Sequence, residues 1–240
     1  MARSEAFREK EREKQVEFKL NSKWIPEAAR AMGHHGKPVD YCFPEIYADE
    51  NLYPGIREGA LAFFHDKKIS WHSLGRRHVL SSQAYCVNFL FPFAARPHAL
   101  RELMKPALPD IHEMLPIEDE MYVTFEWNGA KNYLEEHGGD NNMRGELATF
   151  PDAAIKYRDK KGRSRIVLIE WKYTERYSAE SKAGGESGAN RFNTYRPFIV
   201  GNECPLNLSC LGQDTDQQMQ ALFYEPFYQL MREQLLAFAY

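Results

Sequence analysis

The sequence predicts an α/β fold in which a strand-rich centre is set between helices, and three observations carry that reading. Ser81–Phe93 (SSQAYCVNFLFPF) repeats apolar residues at helical spacing. Three later segments, Met121–Trp127, Thr149–Arg158 and Arg165–Tyr173, have the composition of strands. A helical pattern then returns from about Asp214 to Tyr240, with a bend expected at Pro226.

Taken in order, residues 2–19 mix Lys, Arg and Glu with sparse apolar positions. They predict an exposed helix laced by pairs such as Glu9–Arg12 and Lys10–Glu13. Residues 1–35 therefore read as a charged helical arm, solvated and also offering a contact for a homodimer. Residues 36–240 read as a single domain without internal repeats. Gly, Pro, His and Asp crowd 33–55, which reads as irregular. Gly55–His65 predicts a short helix with Ile56, Leu61, Phe63 and Phe64 inward. In Ser81–Phe93, Ser81 or Ser82 can cap, Ala84, Val87, Leu90 and Phe91 face the core, and Pro92 ends the helix. A second helix follows Pro97 toward Lys105. In MYVTFEW, Tyr122, Thr124 and Glu126 share one face, and Val123, Phe125 and Trp127 share the other. A polar loop at 137–145 leads to Thr149–Arg158, and the turn Asp159–Arg163 leads to Arg165–Tyr173. Residues 174–213 read as irregular, with 181–190 (SKAGGESGAN) of mobile-loop composition.

Composition narrows the function classes. With 240 residues, 43% of them hydrophobic, the chain can bury one well-packed core. Its longest apolar run, Ala84–Ala95, is broken by Asn88 and Pro92 and falls short of the roughly 20 residues a membrane span needs. The charged N-terminus has no apolar stretch to act as a secretion signal, so a cytoplasmic protein is expected, with no membrane partner. A net charge of −3 excludes a protein that coats nucleic acid indiscriminately. Cys42, Cys86, Cys204 and Cys210 lack CxxC spacing and read as free thiols; a zinc site joining the last two to His34 and His35 has little spacing support.

The chemistry is carried by Pro151-Asp152 … Glu170-Trp171-Lys172. On a strand, Glu170 and Lys172 point the same way and Trp171 the other. The run Ile166–Ile169 predicts a central strand buried on both faces. With the hairpin turn centred on Lys161, Asp152 lies across from Glu170, and cross-strand Cβ atoms sit about 4.5–5.5 Å apart. Two carboxylates at such spacing repel by an order of 4 kcal/mol at an effective dielectric near 20. A nearby cation offsets that repulsion: Lys172 in part, a divalent ion more fully. Magnesium, with manganese as an alternative, favours hard oxygen ligands and can polarise a phosphoryl oxygen and its own bound water. Lys172 can orient or deprotonate the attacking water. The bland alternative is a structural ion pair at a strand end; an Asp placed opposite, after Pro and across a tight hairpin, weighs against it.

PD-x17-ExK on adjacent strands resembles the PD-(D/E)xK nuclease superfamily. SSQAYCVNF on a helix, FEW on a strand and EWKYTE resemble a branch of poorly characterised bacterial members. The likeness covers roughly Leu80 to Tyr240. It implies a restriction-endonuclease-like mixed sheet core flanked by helices. Asp152, Glu170 and Lys172 would be catalytic, and Asp152, Glu170 and the Trp171 carbonyl would bind metal. Glu126 is a candidate additional ligand, and Gln83 and Glu175 are candidate accessory residues. The superfamily core has a further strand after the helix that follows ExK. The chain ends near that helix, so 36–240 is expected to lack its last core strand or to complete the sheet differently.

The substrate implied is nucleic acid. Lys156, Arg158 and Arg176 are candidate backbone contacts among a wider set of cations that includes Lys160, Lys161, Arg163 and Arg165. DNA is the commoner substrate of the superfamily, and the residues suit DNA and RNA alike. Two other classes compete: a catalytically silent nucleic-acid-binding or scaffold module of the same fold, and a glycosidase using paired carboxylates. The presence of all three core residues weighs against the first, and Lys172 has no necessary place in the second.

Overall fold

Thirteen regular elements follow one another along the described part of the chain. They are α1 (Ala2–Asn21), β1 (Gly33–His35), β2 (Lys37–Val39), α2 (Arg57–Asp66), α3 (Ser82–Leu90), α4 (Pro97–Met104), β3 (Ile111–Leu115), β4 (Val123–Phe125), β5 (Ala153–Asp159), β6 (Ser164–Ile169), α5 (Gly185–Ile199), α6 (Thr215–Leu222) and α7 (Phe227–Ala239). The computed structural model describes residues 2–72, 74–136, 144, 148–200, 204–211 and 214–240. The predicted polar loop at 137–145 lies outside these apart from Arg144. The described residues form two compact units, one from 2–127, 144 and 152–175, the other from 128–136, 148–151 and 176–240. The fold is α/β.

In the first unit β5 is the strand on which the sheet is built. β6 pairs antiparallel along one of its edges, from Ala153↔Ile169 to Arg158↔Ser164, the register that a turn centred on Lys161 requires. β3 and β4 pair antiparallel with successive halves of β5, β3 with 156–159 and β4 with 153–155. A strand has only two hydrogen-bonding edges, so β3 and β4 share the one that β6 leaves. Asp159 secures the turn: its Oδ1 accepts from the Lys161 and Arg163 amides, both at 2.9 Å, and its Oδ2 from Arg163 Nε at 2.8 Å.

One face of this sheet is the core. Ala153, Ile155 and Tyr157 of β5, with Val123, Phe125 and Ile111, pack against Phe63 and Phe64 of α2, Ala84, Val87 and Leu90 of α3, and Leu100 of α4. The α3 helix starts where Ser81 accepts a hydrogen bond from the Ala84 amide at 3.1 Å. Phe125 is the aromatic centre, with Phe63, Phe64 and Phe91 rings all within 6.2 Å of its own.

Several expectations change. β3 was not expected; its bulged, short pairing gives no clean alternation in the sequence. β5 starts at Ala153 and not Thr149, and β6 stops at Ile169 and not Tyr173. Ile166–Ile169 is half-buried, and among the described residues β6 pairs with β5 alone, so it is not the doubly buried central strand expected. Residues 33–39 hold the β1–β2 hairpin. The supposed loop at 181–190 contains the start of α5, which runs through much of the segment read as irregular. The predicted C-terminal helix is two helices, α6 and α7, separated before Phe227.

The second unit packs α5, α6 and α7 through Tyr195, Ile199, Met219, Phe223, Tyr228, Met231 and Leu235, all buried. Phe223 and Tyr228 rings lie 5.1 Å apart, and Tyr195 and Tyr228 rings 5.9 Å. Among the described residues no helix is long and apolar enough to cross a membrane.

Lys19 departs from a solvated arm. It is 1% exposed, and its ammonium donates to the carbonyls of Ala31 (2.8 Å), Asp40 (2.8 Å) and Cys42 (2.7 Å). Three donors thus meet three acceptors. Burial pulls its pKa below that of free lysine, and no carboxylate pairs with it among the bonds described. Lys19→Met keeps the length and removes every donor, so the ammonium's bonds to Ala31, Asp40 and Cys42 are lost, while the Cys42 carbonyl keeps the Gly33 amide at 2.8 Å. The expected loss is about 3–5 kcal/mol of stability, read as a lower urea midpoint with an unchanged slope. A loss below about 1 kcal/mol would mean that the ammonium is hydrated and the helix only loosely held.

Candidate active site

The sheet brings three carboxylates to one end. Phe125, Ala153 and Ile169 form the last paired row across β4, β5 and β6. Continuing one residue along each strand gives Glu126, Asp152 and Glu170. No strand continues there, and each residue is held by other means. The Asp152 carbonyl accepts from the Glu126 amide at 3.3 Å, and Asp152 Oδ2 accepts from the Trp171 amide at 2.7 Å. The carboxylate thus takes the N–H that a longer β6 would have offered to backbone, which ends the strand. Glu126 has φ +45°, a left-handed conformation that terminates β4. Arg144 holds that turn, donating to the Glu126 carbonyl at 2.8 Å, to the Phe125 carbonyl, and to both Glu118 oxygens at 2.9 Å.

The three acids act on one another and on their surroundings through charge. The Asp152 pKa is raised to about 8, first by burial and then by the charge of Glu170, with Glu126 adding to it; the Trp171 amide and Lys172 pull the other way without prevailing. The buried Cys86 thiol on α3 is pushed up by burial and then by Asp152, Glu126 and Glu170 together. Glu126 therefore lies near Asp152, as the alternation of MYVTFEW allowed, although it stands just past the strand and not in it.

Around the carboxylates sits a polar shell. Glu126 is 4% exposed and accepts from Gln83 Nε2 at 2.9 Å. Gln83, also buried, donates to the Ser70 carbonyl at 3.1 Å and accepts from the His72 amide at 3.0 Å. His72 Nε2 is 3.8 Å from Glu126 Oε1, and the Glu126 carboxylate raises the imidazole pKa against its burial, with Asp152 adding to the rise. His72 was missed from sequence: it lies in an irregular segment far from the motif, and only tertiary packing brings it near. Lys172 is ion-paired with Glu170. Burial lowers the Lys172 pKa, but the bond to Glu170 and the charges of Asp152 and Glu175 prevail and raise it. Glu175 is exposed, and its carboxylate accepts from the Tyr173 amide at 2.7 Å.

The other named residues are less central. Lys156 and Arg158 alternate onto the same side of β5 as Ala154, at about 13 and 20 Å along the strand from Asp152 at roughly 3.3 Å per residue. Arg158 Nε is paired with Glu113 at 2.8 Å. Arg176 belongs to the second unit. Among the described residues, no group of three or more His, Cys, Asp or Glu side chains is already arranged around a metal position. The donor set nonetheless suits a hard divalent ion, since it is carboxylate oxygen throughout. The raised Asp152 pKa follows from burial first and from the neighbouring charge of Glu170 second.

The chain matches the model of the REase-ARP family, described as restriction endonuclease associating with ARP, over residues 4–240. No curated protein and no solved structure matches it.

The protonation of Asp152 has a measurable consequence. Between its unfolded pKa near 3.9 and its folded value of about 8, the folded chain holds a proton that the unfolded chain has released. Stability contributed by that proton is full below the unfolded pKa and is lost as pH rises through the folded one. Asp152→Asn cannot ionise, so it escapes this loss. Relative to the parent, the variant is expected to gain about 2–4 kcal/mol between pH 5 and 9, measured by urea denaturation in chelator. A constant difference across that range would show that Asp152 carries an ordinary carboxylate pKa.

Proposed function

The chain belongs to the REase-ARP family of restriction endonucleases associating with ARP, and we propose that it is a metal-dependent nuclease of the PD-(D/E)xK type acting on DNA in the cytoplasm. The observation that supports this most is the row of three carboxylates, Glu126, Asp152 and Glu170, closing three adjacent strands with Lys172 beside them. Ordinary packing gives no reason to align three acids at one end of a sheet. Phosphodiester hydrolysis does, because a divalent ion and a general cation must meet the same phosphate.

In this reading Asp152, Glu170 and the Trp171 carbonyl would hold magnesium or manganese, with Glu126 as a further ligand. The bound ion would supply Lewis-acid polarisation of the phosphate and acidify water. The protein's own part is positional and electrostatic. Trp171 fixes the Asp152 carboxylate through its amide. Gln83 fixes Glu126, so its free lone pairs keep a set direction. Lys172, with its raised pKa, keeps its proton near neutrality, so it orients the attacking water and neutralises charge on the phosphate more readily than it removes a proton. His72 adds a donor at the same rim. Lys156 and Arg158 are suited to phosphates farther along the backbone. The family's association with ARP is extended to this chain as part of the same proposal.

The test is incubation with mixed single- and double-stranded DNA and RNA, in magnesium or manganese against chelator. Cleavage of DNA that chelator abolishes is expected. Asp152→Ala and Glu170→Ala should each remove cleavage and weaken divalent-ion binding by calorimetry while the fold persists. Lys172→Ala should bind the ion as the parent does yet turn over about 10²–10⁴ times more slowly. Binding of nucleic acid without turnover under every metal condition would favour a silent module instead. Full activity in Lys172→Ala would reduce that residue to an ion-pair partner.

A further inference from the structure

The first unit contains a pocket of about 370 Å³ set apart from the carboxylates, walled by Phe18, Trp24, Ile25, Phe43, Tyr53 and Val79. That volume lies within the roughly 300–1,000 Å³ of small-molecule sites. Three of its rings, those of Phe18, Trp24 and Tyr53, are about half exposed although they meet one another. Trp24 is the middle one, 6.3 Å from the Phe18 ring and 5.5 Å from the Tyr53 ring, at interplanar angles of 72° and 68°. Neither neighbour is stacked on the indole, and about half of its surface stays in water.

The polar groups of the lining are spent on the wall itself. The Lys19 ammonium is taken by three carbonyls, and Glu50 accepts from Arg57 at 2.8 and 3.0 Å, so neither charge of the lining is unpaired. Asn88 accepts from the Tyr53 amide at 2.8 Å and donates to the Asn51 carbonyl at 2.9 Å, and Asn51 donates to the His78 carbonyl at 2.9 Å. These bonds fix Tyr53 in place. What remains on offer is aromatic surface, whose matching ligand is a flat, uncharged ring. The position of the pocket names the source of that ring. Gln15 and Tyr85, both on the lining, meet Tyr173: Gln15 Nε2 donates to the Tyr173 hydroxyl at 3.4 Å, and the Tyr85 and Tyr173 rings lie 4.4 Å apart. Tyr173 follows Lys172 directly, so the pocket adjoins the segment that carries the lysine.

We propose that this pocket receives an unstacked nucleobase from the strand that passes Lys172, with Trp24 as its stacking platform. The inference rests on the reading that nucleic acid crosses the row of carboxylates. A base seated beside Tyr173 anchors its own strand next to the lysine that must meet the phosphate. Every base has a π-face, so the platform is indifferent to which base it holds. A base in a duplex must first leave its pair and its stack, so the pocket favours single strands and unpaired ends.

The test compares oligothymidylate with an abasic oligomer of the same length, their binding to the full chain in chelator followed by fluorescence anisotropy. The parent is expected to bind the oligothymidylate about tenfold more tightly or better. Trp24→Leu keeps an apolar side chain at this half-exposed position and removes the platform. It should lose about tenfold on the oligothymidylate, bind the abasic oligomer unchanged, and keep the parent's salt dependence, since no phosphate contact is touched. Trp24→Phe should recover most of the loss. Equal affinity of the parent for the two oligomers, binding of neither, or an equal loss on both in Trp24→Leu overturns the proposal. Cleavage assays in magnesium or manganese separate it from the nuclease reading. A base-dependent difference without turnover removes the nuclease reading alone; turnover by a chain whose Trp24→Leu variant binds oligothymidylate as the parent does removes the pocket alone.

Discussion

Every strand pairing in the four-stranded sheet passes through β5. β6 occupies one edge of that strand, and β3 and β4 divide the other between them. This single constraint sets the rest of the first unit. It puts Phe125, Ala153 and Ile169 in one row, which makes Glu126, Asp152 and Glu170 neighbours. It also turns Ala153, Ile155 and Tyr157 toward α2, α3 and α4, so the packing of the core and the alignment of the acids have the same cause.

Aligned acids need compensation, and the structure provides it unevenly. Glu126 has Gln83 and His72, Glu170 has Lys172, and among the described residues Asp152 has one backbone amide, that of Trp171, as a direct donor. The Asp152 pKa is raised to about 8, by burial first and then by the charge of Glu170.

The segment that carries the lysine is held from the N-terminal side of the chain. Tyr173, next after Lys172, donates its hydroxyl to Glu11 on α1 at 2.8 Å and packs its ring 4.4 Å from Tyr85 of α3. With Lys19 buried under the carbonyls of Ala31, Asp40 and Cys42, α1 contributes to the packing of the first unit. In the second unit Glu136 has the analogous organising part, gathering Thr149, Tyr195 and Arg232.

By itself the sequence determined what local chemistry can write. Ser81 before an apolar helical repeat specifies a cap, and a Gly-bearing turn between two apolar runs specifies the β5–β6 register, because a hairpin's length leaves no freedom in which residues meet. That register was enough to place Asp152 opposite Glu170. The tertiary structure decided what depends on distant partners. Composition alone made 181–190 a loop, yet α5 begins there because Tyr195 and Ile199 find a core among α6 and α7. An apolar run suggested a doubly buried strand at Ile166–Ile169, but burial is settled by neighbours, and β6 has one paired edge among the described residues. Glu126 left its strand because Arg144 draws its carbonyl aside, and Lys19 went inward because three carbonyls from elsewhere in the chain turn toward it. Such positions are fixed by groups far away in sequence, and no local pattern records them.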